Sequence, residues 1–139
     1  MKTEEIRSQL ECIASADDFE IKSDELTESW TSTGAGIETL EPVLRFMEEH
    51  PSIEFGVPGS LVHFVEQFNG NEYVKKLVES VERKPVAHTV WMLNRLINGT
   101  KGSERRRPLI AVLERARFNP LADQNTVDLA TQFLERLQP

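Results

Sequence analysis

The stretch Arg83-Lys-Pro-Val-Ala-His-Thr-Val-Trp-Met-Leu-Asn-Arg-Leu-Ile-Asn-Gly99 decides the fold class, because it is written as a helix with both ends marked. Pro85 has the fixed φ of a first-turn residue, and Gly99 follows the last periodic position, where a left-handed C-cap is wanted. Between them Val86, Val90, Leu93 and Ile97 form one apolar ridge with Met92 and Leu96 beside it, so the stripe to be buried is wide. The other face lacks the usual Lys/Glu coat. Ala87, Trp91, Asn94 and Asn98 make one row, and His88, Trp91 and Arg95 another. So little charge on a helix predicts cover from other helices on most of its sides.

Outward from this element the chain reads as further helices. Toward the N-terminus, Asn71 to Glu82 and Ser60 to Phe68 are helical, divided by Asn69-Gly-Asn71 and by Lys84-Pro85. Toward the C-terminus, Ser103 to Arg117 and Asn125 to Leu137 follow Gly99-Thr-Lys-Gly-Ser103 and Asn119-Pro120, the first of these reading as a C-cap followed by an N-cap. Phe118 reads as a core residue. Near the start, Ile6, Leu10 and Ile13 repeat at helical spacing behind Thr3-Glu-Glu, a cap residue with first-turn acids. Ala16 to Ile21 break that pattern; Ser23 or Asp24 then caps a short helix bearing Leu26 and Trp30, which ends in the loop Thr31-Ser-Thr-Gly-Ala-Gly36. Ile37, Leu40, Val43, Leu44 and Met47 mark a helix to about His50, with Pro42 in its first turn or at a kink. The segment Pro51 to Ser60 is rich in turn formers yet carries Ile53, Phe55 and Val57, which predicts a structured connection packed over a helix end.

The expectation is therefore an all-α protein of seven to eight short helices over residues 1–139, in a single domain. Short connections make neighbouring helices antiparallel, as in a HEAT-like α-α stack or an irregular helical bundle. At 139 residues, with 39% hydrophobic and 28% charged side chains, the chain can bury a core without staples. No apolar run reaches membrane-spanning length and Met1 leads into Lys-Thr-Glu-Glu, which points to the cytoplasm and to no membrane partner.

Charge is unevenly distributed along the chain. Residues 1–57 carry 14 acids against 4 bases, a balance of −10; residues 58–139 carry 9 against 12, a balance of +3; together these make the net −7. The imbalance argues against nonspecific nucleic-acid binding and allows a basic partner at the N-terminal half. Asp17, Asp18, Glu20, Asp24, Glu25 and Glu28 crowd one segment, followed by Trp30, and Glu54 lies further on. An acidic rim beside an aromatic anchor suits an inhibitor of a basic protein, because opposite charge speeds encounter while a buried aromatic slows release. The competing reading is a solvated surface with Trp30 tucked inward.

Other constellations carry less. Cys12 has no second cysteine to bridge, and His50, His63 and His88 lack the spacing of a metal motif, so no metal or cofactor is expected. Glycines in Gly56-Val-Pro-Gly-Ser and in Gly99 to Ser103 lack the spacing and preceding strand of a phosphate loop. His88, Trp91 and Arg95 make the best alternative site: Trp91 could desolvate His88 while Arg95 holds an anionic group, or the row could line a groove for a peptide. Such a row otherwise ties helix ends together by hydrogen bonds. Arg105-Arg-Arg107 is the basic concentration, with intramolecular pairing to the acidic half as its simplest use. No nucleophile–base signature points to an enzyme.

Phe55-Gly-Val-Pro-Gly-Ser-Leu-Val-His-Phe-Val-Glu66 and Lys84-Pro-Val-Ala-His-Thr-Val-Trp-Met-Leu-Asn-Arg-Leu-Ile-Asn-Gly-Thr100 resemble segments of small all-α bacterial immunity proteins from polymorphic-toxin and contact-dependent-inhibition systems. The resemblance covers about the middle third of the chain. It implies a cytoplasmic protein that binds and blocks a toxin domain, commonly a nuclease, and it transfers no binding residue. The acidic stretch from Asp17 to Glu28 with Trp30 and Glu54 is then the expected contact surface. A small helical adaptor binding a peptide or protein in its groove is the alternative.

Overall fold

In the computed structural model, residues 1–55 and 59–137 are described, and all of their regular structure is helical. The described residues form eight α-helices and a 3₁₀ turn at Ile37–Thr39: α1 (Thr3–Ile13), α2 (Phe19–Thr33), α3 (Leu40–Glu49), α4 (Ser60–Glu66), α5 (Asn71–Arg83), α6 (Ala87–Gly99), α7 (Ser103–Ala116) and α8 (Gln124–Leu137). The all-α expectation holds. No described helix is long and apolar enough to cross a membrane. Part of the predicted structured connection, Gly56 to Pro58, lies outside the described residues, as do Gln138 and Pro139.

Several ends differ from the sequence reading. Helix α2 begins at Phe19, well before the predicted cap at Ser23 or Asp24, and runs to Thr33 through what reads as a loop. Its inward face sets two small polar residues, Ser23 and Thr27, between the aromatics Phe19 and Trp30, so it carries no apolar periodicity. The Thr27 hydroxyl is satisfied within the helix by the Ser23 carbonyl at 3.0 Å, so a polar side chain can be buried there. Gly34 closes α2 in the left-handed region at φ +75°, where a Cβ would be strained. Pro42 is the third residue of α3 and sits in its first turn.

The ends of α6 also require correction. Gly99 is the last helical residue rather than a left-handed cap, and the chain leaves through extended Thr100. Positive φ falls instead on Gly102, at +92°, which precedes α7 in the place expected of Ser103. Pro85 stands two residues before α6, with Val86 as its N-cap. Thr3 lies inside α1, behind Lys2.

The helices group into two compact units, Met1–Lys76 and Leu77–Pro139, with the boundary inside α5. In the first unit α1 packs on α2 and α3, while α4 packs on α2 and α3, so two helix pairs lie against each other. Ile6, Leu10, Trp30, Val43, Leu44, Met47, Val62 and Val65 are essentially inaccessible to solvent. Phe19, Phe46 and Phe55 form an aromatic cluster with ring centroids 5.6 to 6.2 Å apart. In the second unit α6, α7 and α8 each touch the other two. The predicted ridge of α6, Val86, Val90, Leu93 and Ile97 with Met92, is fully buried. It is joined in the core by Leu109, Val112 and Leu113 of α7 and by Ala130, Phe133 and Leu134 of α8.

Candidate functional site

The charge imbalance follows the structural division. Met1–Lys76 holds 16 acids and 6 bases, a balance of −10, and Leu77–Pro139 holds 7 acids and 10 bases, a balance of +3. In the first unit the acids concentrate on α2 and the turn before it. Asp17 and Asp18 precede the helix; Glu20, Asp24 and Glu28 are four residues apart and make one row, next to the buried Phe19, Ser23 and Thr27 row. Glu25 flanks this row on the side away from the buried one, 3.6 Å from Lys22 in an exposed pair. All six carboxylates are exposed, as is Glu54 beyond α3. Ile21, 59% exposed, adds an apolar contact to this face.

Beside the acidic row, α2 and α4 frame an open groove of about 700 Å³, lined by Thr27, Glu28 and Thr31 on one wall and by His63, Phe64 and Gln67 on the other. Asp24 accepts a hydrogen bond from the Ser60 hydroxyl, tying α2 to the first turn of α4. One predicted site carboxylate is thus also a structural link.

Trp30 does not belong to this surface. Its side chain has no exposed area, its indole Nε1–H donates to Gln9 Oε1 at 2.7 Å, and its ring meets Phe64 edge-on at 5.2 Å between centroids. The reading of Trp30 as a contact anchor is therefore corrected. It lies eleven residues after Phe19, three helical turns on, and so falls on the buried row of α2 rather than the acidic one. From inside it supports Phe64, a groove residue.

His88, Trp91 and Arg95 lie together on α6 in the second unit. His88 and Trp91 are half-buried, Arg95 is exposed, and the Arg95 guanidinium stands 5.1 Å from the Trp91 ring centre in a cation–π contact. Arg105 and Arg107 are exposed at the start of α7, whereas Arg106 is half-buried.

Two features escaped the sequence reading. Phe118, expected in the core, is 78% exposed, with the Arg117 guanidinium 5.2 Å from its ring centre. The buried stripe of α7 ends at Ala116, and a turn closed by the Phe118 amide on the Arg115 carbonyl at 3.0 Å carries the chain off that stripe. Phe118 also borders a cleft of about 400 Å³ with Val81, Val112, Arg115 and Pro120.

The second is a convergence of Glu11, Glu49 and His50, whose donor atoms all lie within 4.8 Å of one another. His50 Nε2 is 3.0 Å from Glu11 Oε1, and the imidazole sits 4.6 Å from the Phe46 ring centre. Glu11 and His50 are 39 positions apart, so no local spacing announces them.

No family model, curated protein or solved structure shows detectable similarity to this chain.

Proposed function

We propose that this chain is a non-enzymatic binding protein whose acidic first unit docks onto a basic protein, most concretely an immunity protein that blocks a bacterial toxin domain in the cytoplasm. The observation that carries the reading is the exposure of six carboxylates within the twelve residues 17–28, on a unit with a balance of −10. A field of one sign on one face raises the rate of encounter with a basic partner and discriminates against acidic ones. On this reading the carboxylates of the Glu20–Asp24–Glu28 row would take the place of substrate phosphates in a nuclease cleft. The neighbouring α2–α4 groove offers a recess for a partner side chain, with Phe64 as apolar wall and His63, Thr31 and Gln67 as hydrogen-bonding groups.

The test is affinity capture with the full chain at low and moderate salt, with the recovered protein then expressed alone and together with this chain. A single basic partner is expected, toxic alone and neutralised on co-expression. The triple variant Asp17→Asn, Glu20→Gln, Glu28→Gln leaves the Asp24–Ser60 link intact. It should slow association roughly tenfold and flatten the salt dependence while leaving dissociation nearly unchanged. A partner that binds the variant and the wild type at the same rate, or one lost only on Trp91→Ala, would remove the acidic face from the account and favour the adaptor reading at α6.

A further inference from the structure

We propose that Glu11, Glu49 and His50 form a divalent-cation site suited to Zn²⁺, which clips the end of α1 to the end of α3. The donor set is one imidazole nitrogen and two carboxylates, whose ligand atoms already lie within 4.8 Å of one another. Four-coordinate Zn²⁺ takes such ligands at about 2.0–2.2 Å, with donors roughly 3.4 Å apart. Both glutamates are about half exposed, at 52% and 51%, which leaves their side chains free to rotate toward that spacing. A fourth position stays open to solvent. The nitrogen ligand favours Zn²⁺ over Mg²⁺ and Ca²⁺, which prefer all-oxygen shells.

Local geometry explains the convergence of two consecutive residues with a third from another helix. On a continuing helix Glu49 and His50 would diverge by about 100°. Here α3 ends at Glu49, and His50 leaves it at φ −127°, ψ 61°, so both side chains can reach the same side. Phe46, one turn back, packs against the imidazole at 4.6 Å between ring centres, with the rings tilted by 44°. That nitrogen faces Glu11 Oε1 at 3.0 Å. The Nε2–H tautomer fills that distance with a hydrogen bond to the carboxylate; with the proton on Nδ1 instead, the Nε2 lone pair and the two carboxylates present three donors to one dication. Arg7 competes for Glu49, but at 3.9 Å and with both side chains more than half exposed, that pair is long and solvent-screened. Metal binding would displace it at little cost.

The experiment is calorimetric titration of the full chain with Zn²⁺, repeated with Co²⁺ to read the coordination geometry from its visible spectrum. One equivalent should bind and raise the thermal midpoint in proportion to the logarithm of free metal. His50→Ala, Glu11→Gln and Glu49→Gln should each weaken binding at least tenfold, with helicity by circular dichroism unchanged. His63→Ala, His88→Ala and Cys12→Ser should leave it unaltered. The inference is overturned if no stoichiometric binding occurs, if binding survives His50→Ala, or if it is lost in Cys12→Ser with a thiolate charge-transfer band in the Co²⁺ spectrum.

Discussion

Replacing Trp30 by alanine tests the placement of this side chain directly. A tryptophan buries roughly 150–250 Å². At about 25 cal/mol per Å² this corresponds to roughly 4–6 kcal/mol of transfer free energy, part of which the alanine methyl retains. Aromatic-to-alanine truncations in cores cost about 3–5 kcal/mol once the cavity is included. Trp30 has no exposed surface and its N–H satisfies Gln9, so the loss should lie near ~4 kcal/mol. For a chain of ordinary stability that is a large share of the total. Urea unfolding followed by helical circular dichroism should show a midpoint lowered by about 2 M, taking a slope of about 2 kcal/mol per M. Trp30→Phe keeps the ring against Phe64 but removes the donor, and should cost about 1 kcal/mol from the hydrogen bond plus a smaller packing loss. A loss below about 1 kcal/mol for Trp30→Ala would refute the buried placement and return the indole to the binding surface.

Two glycines should respond oppositely to alanine. Gly99 is helical with open space where a Cβ would go, so Gly99→Ala should stabilise by about 0.5–1 kcal/mol; Gly34, at φ +75°, should lose about 1 kcal/mol, both read from urea midpoints. Asp123 caps α8 by accepting the Thr126 amide at 2.8 Å, so Asp123→Ala should cost about 1 kcal/mol. The Thr126 amide first, then the Thr126 hydroxyl and the Lys84 charge, hold the Asp123 carboxyl below the ordinary aspartate range. A depressed folded-state pKa places the ionic part of this stabilisation above the unfolded value of about 3.9. The midpoint difference between wild type and Asp123→Ala should therefore be full at neutral pH and shrink as pH falls below that value, and a difference that grew on acidification would contradict the cap.

Helices α5 to α8 were legible to within a residue or two because their apolar stripes, Leu109, Val112, Leu113 and Ala116 among them, recur at helical spacing between strong breakers. Helix α2 was legible only in part. Its inward row mixes Ser23 and Thr27 with Phe19 and Trp30, and the pattern that marks a helix is hydrophobicity rather than burial itself. The acidic residues of the candidate face could be found from composition, whereas an inward and an outward Trp30 both remained open, because the choice rests on Gln9 and Phe64, which are remote in sequence.

The linear chain by itself determined the helical class, the positions of most breaks and the concentration of negative charge before the middle of the chain. These depend on nearest-neighbour chemistry: backbone restrictions at proline, hydrophobic period, and charge counted along the sequence. Only the tertiary structure decided which carboxylates face solvent, that Asp24 is tied to Ser60, and that Trp30 lies inside against Phe64. It alone brought Glu11 to Glu49 and His50, since that meeting is set by the packing of α1 on α3 and by where α3 ends. Side chains far apart in sequence meet through the burial of other residues, here Ile6 and Leu10 of α1 against the apolar face of α3, and their own chemistry carries no local sign of it.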